Sequence, residues 1–212
     1  MAGNVADDYA SDTFIVDQTV PELKITGVLD QTANNGDVIP VISYSDTNFN
    51  KNQVSISLEG SNRGSVKLNA SYSDAANGQV YTFKNFEKTK EVDDLYTLSA
   101  SLTDLAGNVS TKTNTFSVNR FGSDYSFDED LKSIDGKFVQ KEKDVIVTET
   151  NVDNLKPESI TIKVTKNGTP TDLVKGKDFT LTETGGKGKW RQYTYVVKKD
   201  LFAGDGRYTV TI

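Results

Sequence analysis

Apolar and polar residues alternate with a period of two along most of the chain, as in Val38-Pro40-Ile42-Tyr44, Val54-Ile56-Leu58, Tyr81-Phe83 and Phe116-Val118. The pattern returns in Val145-Val147, Ile160-Ile162-Val164, Phe179-Leu181, Tyr193-Tyr195-Val197 and Tyr208-Val210-Ile212. A strand sends successive side chains to opposite faces, so this period predicts short strands with one buried face, and helices have almost no support. Pro40 has no N–H to give to a ladder and fits a strand start or an edge. Between the runs lie turn signals, among them Asn34-Asn35-Gly36-Asp37, Asn62-Arg63-Gly64, Asn77-Gly78, Ala106-Gly107-Asn108, Lys166-Asn167-Gly168 and Gly204-Asp205-Gly206.

The chain also repeats itself. Ala2-Gly3-Asn4-Val5 recurs 104 residues on as Ala106-Gly107-Asn108-Val109, and Thr13-Phe14-Ile15-Val16-Asp17 recurs 102 residues on as Thr115-Phe116-Ser117-Val118-Asn119. Tyr81 and Tyr96 answer Tyr193 and Tyr208 at 112 residues, and Asp46-Thr47-Asn48-Phe49 answers Glu149-Thr150-Asn151-Val152 at 103. A drifting offset of this kind means one fold used twice, with loop insertions in the second copy. The division that follows is residues 1–20 as the C-terminal strand of a preceding repeat, 21–121 as a first domain, and 122–212 as a second domain lacking its final strand. An orphan strand at one end and an open sheet edge at the other predict that residues 9–17 fill that edge, in another molecule first and in the same chain as the alternative, the former giving head-to-tail strand-exchange oligomers.

Roughly seven short strands per ~100 residues is the pattern of an immunoglobulin-like sandwich, so the fold class expected is all-β, with tandem immunoglobulin-like β-sandwiches. Asp104-x-Ala106-Gly107-Asn108 followed by Thr115-Phe116-x-Val118-Asn119, the Tyr44-x-Asp46-x-Asn48 corner, and Trp190-x-x-Tyr193-x-Tyr195 with Gly206-x-Tyr208-x-Val210 carry a resemblance along essentially the whole chain. It resembles the bacterial immunoglobulin-like repeats of large Gram-positive cell-surface proteins. That resemblance implies a wall-attached or secreted multidomain protein, with signal peptide and anchor outside this segment, whose repeats act as stalks or adhesive modules beside neighbouring repeats.

Composition narrows the chemistry. Among 212 residues there is no cysteine and no histidine, which excludes Ser-His-Asp and Cys-His nucleophiles, thiolate chemistry and ordinary zinc or haem sites. Thirty acidic against 24 basic side chains give a net charge of -6 without a basic run, so neither nucleic acid nor a membrane is an expected partner. Hydrophobic residues are 35% of the chain, which suits thin two-sheet modules with much surface. The acids fall on turns and linkers, where no deep cleft for carboxylate catalysis is expected, so the chain reads as a non-enzyme.

Asp104 and Asn108 bracket a tight turn that Gly107 permits, and a structural role is the first reading. Asp46, Asp104 and Asp124 are the candidates for a Ca2+ site at a module end, because hard cations take carboxylate and carbonyl oxygens. Asp128-Glu129-Asp130 reads as a solvated acidic face. Trp190 falls on the opposite phase from Tyr193, Tyr195 and Val197, so its indole either covers the end of its own sandwich or, with neighbouring Arg191, contacts a host glycan or glycoprotein. Tyr96 and Tyr208 stand where a tyrosine corner sits. The function expected is a non-catalytic extracellular stalk, spacer or adhesive segment of a bacterial surface protein. The alternatives are a glycan- or host-protein-binding module and an accessory module of a carbohydrate-active enzyme.

Overall fold

The alternating runs pair into strands that stack as two successive sandwiches in a computed structural model describing residues 2–186 and 189–212. The first is built from β1 (Glu22–Thr26), β2 (Thr32–Asn34), β3 (Val41–Ser45), β4 (Val54–Gly60), β5 (Gly64–Ser65), β6 (Ala70–Ala75), β7 (Gly78–Phe83), β8 (Asp94–Thr103) and β9 (Val109–Val118). One sheet runs β1-β3-β7-β6 and the other β2-β9-β8-β4-β5. That is the A-B-E-D sheet facing the G-F-C sheet of an immunoglobulin-like domain, with β2 added parallel to β9 through Thr32↔Phe116. Pro40 directly precedes β3, where its missing N–H costs no ladder bond. The core is filled from alternate positions: Ile42 from β3, Leu58 from β4, Tyr96, Leu98 and Leu102 from β8, Phe116 and Val118 from β9. Each such side chain contributes about 1.5–3 kcal/mol by leaving water.

The second sandwich comprises β10 (Asp124–Phe127), α1 (Glu129–Ile134), β11 (Val145–Asn151), β12 (Lys163–Lys166), β13 (Thr169–Asp172), β14 (Phe179–Thr184), β15 (Arg191–Val197) and β16 (Tyr208–Thr211). The sheet β10-β11-β15-β14 repeats A-B-E-D, whereas the facing sheet holds three strands, β13-β12-β16. Among the described residues, β16 therefore pairs with β12 alone. Tyr96, Leu98 and Ala100 are sealed under β9, but the matching Tyr208, Val210 and Ile212 are only half-buried.

Both tyrosine corners form. The Tyr96 hydroxyl donates to Val92 O (2.7 Å), and that of Tyr208 donates to Ala203 O and Gly204 O (2.8 and 2.9 Å). The helix α1 departs from the strand-only expectation. Asp128 caps it by accepting from Leu131 N (2.7 Å), and Glu129 and Asp130 lie in its first turn, where the helix dipole favours negative charge. The acidic run thus starts a single short helix. Residues 2–20, read as the last strand of a preceding repeat, form no strand here. Phe14, Ile15 and Val16 are 79%, 77% and 74% exposed, since a strand without a ladder partner leaves its backbone and side chains to water.

The second core contains a buried acid. Glu149 of β11 is 4% exposed and accepts from the hydroxyls of Tyr195 (2.6 Å) and Tyr125 (3.0 Å). Burial, and then the Glu149 carboxylate, push the ionisation of Tyr195 far above the ordinary tyrosine value. A folded-state value above the unfolded one means that this stabilisation is intact below the unfolded value of about 10 and is lost as pH rises beyond it. Urea unfolding of the second sandwich should accordingly lose stability with rising alkaline pH. Tyr195→Phe should flatten that slope by about one proton's worth, roughly 1.4 kcal/mol per pH unit; identical slopes in the two proteins would contradict this.

Candidate functional site at the two joints

Each sandwich receives the preceding chain segment at the corner that follows its second A-B-E-D strand. At the first corner Asp46 turns the chain by accepting from Asn48 N (2.7 Å), an Asx turn. Asn48 Nδ2 then donates to Asp17 Oδ2 (2.6 Å), and Asn108 Nδ2 reaches Asp17 O (3.2 Å). Asp104 closes the β8–β9 turn, accepting from Asn108 N and Nδ2 (both 2.8 Å). Burial raises the Asp104 carboxyl, but hydrogen bonds from Asn108 and the Gly107 and Ala106 N–H groups outweigh it and hold the group below its ordinary value.

These turns bring carboxylate oxygens of Asp17, Asp46 and Asp104 within 4.8 Å of one another, with Asp46 and Asp104 buried. Among the described residues no lysine or arginine forms a salt bridge to any of the three. Three oxygen donors so placed are of the type that could hold a divalent cation. Two of the three expected calcium candidates, Asp46 and Asp104, do meet. Asp124 does not join them: it pairs with Lys90 Nζ (3.1 Å) at the other joint, and Asp17 takes its place. Asp17 was readable as the end of the Thr-Phe-x-Val-Asp repeat, but its partners lie 29 and 87 residues away.

The second corner carries the same device with the polarity reversed. Asn151 makes the Asx turn, accepting from Asp153 N (2.9 Å), and the linker residue Asn119 donates its Nδ2 to Asn151 Oδ1 and Asp153 Oδ2 (both 2.9 Å). Asp46 therefore corresponds to Asn151. The sequence alignment had set it against Glu149, two residues away. The registers agree: Ile42↔Tyr81 and Val147↔Tyr195 each lie four residues before their Asx turn, so Tyr81 corresponds to Tyr195 and not to Tyr193. A slip of two preserves strand parity, which is why alternation did not reveal it.

Two further contacts tie the sandwiches together. Asp93 Oδ2 accepts from Arg120 N (2.9 Å) and Phe121 N (2.8 Å), fixing the linker just after β9. Trp190 Nε1 donates to Asp94 Oδ1 (2.6 Å) across the joint. Asp94 is fully buried and also accepts from the N–H groups of Asn62, Arg63 and Leu95. Gly185, at φ +89, lets the chain pass Trp190, since a Cβ there would collide with the Trp190 carbonyl. Arg191 turns away to Glu183 (3.2 Å). Asp93 Oδ1, Ser117 Oγ, Asn119 Oδ1 and Arg120 Nη2 are buried near this joint without a protein partner, each costing about 1–3 kcal/mol unless water reaches it.

One feature of the first sandwich escaped the sequence. Tyr44, Tyr72 and Tyr81, from three neighbouring strands, line an open concavity of about 580 Å³ with Lys51, Asp74 and Gln79. It is assembled by pairing of β3, β7 and β6 and by the facing strand β4, which adds Val54 and Ile56.

At the first corner, neutralising one of three crowded carboxylates relieves like-charge repulsion while an amide oxygen still accepts from Asn48. In chelator, Asp17→Asn should raise the melting midpoint of the first sandwich, with a gain of about 0.5 kcal/mol. A lower midpoint in calorimetry would show that the Asp17 charge stabilises the corner.

No known family model matches the chain, and no curated protein matches it. Among solved structures it is similar to the titin Ig tandem domains A164-A165, at 10% identity and a TM-score of 0.41, covering 91% of this chain and 90% of that one. A second titin structure, A168169, is similar at 8% identity with a TM-score of 0.37 and the same coverage. A chimeric titin Z1Z2-Z1Z2 tandem follows at 9% identity and 0.30, covering 90% of each chain.

Proposed function

We propose that the chain is a non-catalytic spacer segment of a bacterial cell-surface protein, in which successive immunoglobulin-like sandwiches are held at fixed angles by polar joints. The observation that carries this reading is the Trp190–Asp94 contact with the Asn119 and Asp93 linker bonds beside it. A flexible tether would leave its linker to solvent; here the linker amides and the only tryptophan are committed to the neighbouring sandwich. The concavities lined by Tyr44, Tyr72 and Tyr81 and by Thr32, Phe116 and Arg191 are open to solvent, which suits a scaffold better than an enzyme. The surface setting and the wall attachment rest on the resemblance of the Asp-x-Ala-Gly-Asn and Phe-x-Val-Asn repeats to Gram-positive surface proteins.

A second reading has one observation in its favour. The tyrosine-lined concavity offers aromatic faces beside amide, carboxylate and ammonium groups, a combination that suits a glycan or a glycoprotein loop. The same groove would serve if the chain were an accessory module of a carbohydrate-active enzyme.

Two measurements separate these readings. NMR relaxation should give both sandwiches one rotational correlation time, and Trp190→Ala should split it into two while both remain folded. Independent tumbling in the unaltered chain would overturn the rigid spacer. On a glycan array the spacer reading expects no saturable binding. Binding that is lost in Tyr72→Ala, with Tyr72 69% exposed and its removal harmless to the core, would establish the second reading.

A further inference from the structure

Two inner-face rows of the sheet β1-β3-β7-β6 run from the sealed core of the first sandwich to an open side. Ile42, Tyr81 and Tyr72 stand opposite one another across β3, β7 and β6, and Tyr44, Gln79 and Asp74 form the next row. Ile42 and Tyr44 are buried, Tyr81 and Gln79 half-buried, and Tyr72 and Asp74 exposed. The facing sheet leaves the outer end of these rows uncovered. Its β5 pairs with β4 only at Glu59 and Gly60, so beside Val54 and Ile56 the outer edge of β4 carries no strand among the described residues. The concavity of about 580 Å³ is the mouth between β6 and β4.

The second sandwich closes the same place. There β13 pairs along the whole of β12, from Lys163↔Asp172 to Lys166↔Thr169. Leu181, opposite Tyr195, takes the place of Tyr72 and packs on the core. Glu183, opposite Tyr193, takes the place of Asp74 and is paired with Arg191 (3.2 Å). Among the described residues Asp74 has no such cation. Its carboxylate is held instead by a chain of neutral donors: the Tyr44 hydroxyl donates to Gln79 Oε1 (3.1 Å), and Gln79 Nε2 donates to Asp74 Oδ1 (2.8 Å). That leaves Asp74 Oδ2 without a protein donor among the described residues, beside the exposed ring of Tyr72.

Resting on the glycan reading of this concavity, we propose that the mouth takes a neutral glycan, with Tyr72 stacked on one face of a sugar ring and Asp74 Oδ2 accepting from its hydroxyls. A sugar ring has an apolar C–H face, which a phenol ring covers, and a rim of hydroxyl donors, which a carboxylate binds more strongly than a neutral oxygen does. Lys51 on the rim is exposed and carries its ammonium on a long flexible stem, whereas Asp74 is fixed by the Gln79 amide. The fixed charge of the mouth is therefore negative, and a sialylated or sulfated chain would bring like charge against it.

An array of neutral and acidic glycans, probed with the 212-residue protein and two variants, tests the proposal. Binding is expected on neutral glycans. Asp74→Asn should weaken it by about tenfold, the step from a charged to a neutral acceptor, while Tyr72→Phe keeps the ring and should hold it within about twofold. Both positions are exposed on an edge strand, so the variants should melt as the unaltered chain does. Binding of acidic glycans alone, or tighter binding by Asp74→Asn, would overturn the neutral ligand and leave the glycan reading standing. Neutral binding that is unchanged in Asp74→Asn or lost in Tyr72→Phe would overturn the roles assigned to the two side chains. Absence of binding to any glycan would remove the proposal together with the reading on which it rests.

Discussion

A buried carboxylate must be satisfied where it sits, and Asp94 shows how much of a fold one such requirement can organise. It lies at the first residue of β8, fully out of solvent, and collects N–H donors from the 60–63 turn and from its own neighbour Leu95. Those bonds fix the β4–β5 hairpin, and Gly60 is needed there because a Cβ would strike the carboxylate. Arg63, held by the same turn, donates to the Tyr96 hydroxyl, which in turn secures the tyrosine corner at Val92. The remaining donor is Trp190, supplied by the other sandwich. Leaving such a charge unpaired in the interior costs several kcal/mol, so internal order and inter-sandwich order are linked through one side chain.

The two joints solve one geometric problem with opposite directions of hydrogen bonding. At the first corner the linker supplies a carboxylate acceptor to an amide, and two more carboxylates stand close by. At the second the linker supplies an amide donor to an amide oxygen and a carboxylate. The Asx turn beneath is the same in both. The first joint gathers three carboxylates, whereas the second gives its carboxylates amide, indole and backbone N–H donors and leaves some buried polar atoms without a protein partner.

Strand positions were legible because period-two alternation reports directly on a sheet with one wet face, and Tyr193, Tyr195 and Val197 are buried as their parity required. The same period hides slips of two, so the correspondence of Asp46 with Asn151 emerged only from the Asx turns. Trp190 lies just before β15 and is half-buried, and its partner Asp94 is 96 residues away with no local pattern to link them. The helix at Glu129–Ile134 is too short for helical periodicity to register, although Asp128 before Leu131 is a cap signal in the sequence. Asp17 was visible as a repeat ending; its closeness to Asp46 and Asp104 depends on three turns meeting.

The short parallel pairing of β2 with β9 has a mechanical meaning. Thr32–Asn34 lie against the last residues of β9, where the chain leaves the first sandwich, and they are bonded through Gln31 N to Thr115 O, Asn119 N to Asn34 O, and Asn34 Nδ2 to Ser117 O. Tension along the chain pulls two parallel strands past one another, so these bonds are loaded together in shear and must break together. Within the first sandwich a pull along the chain therefore meets its resistance at this short parallel pair.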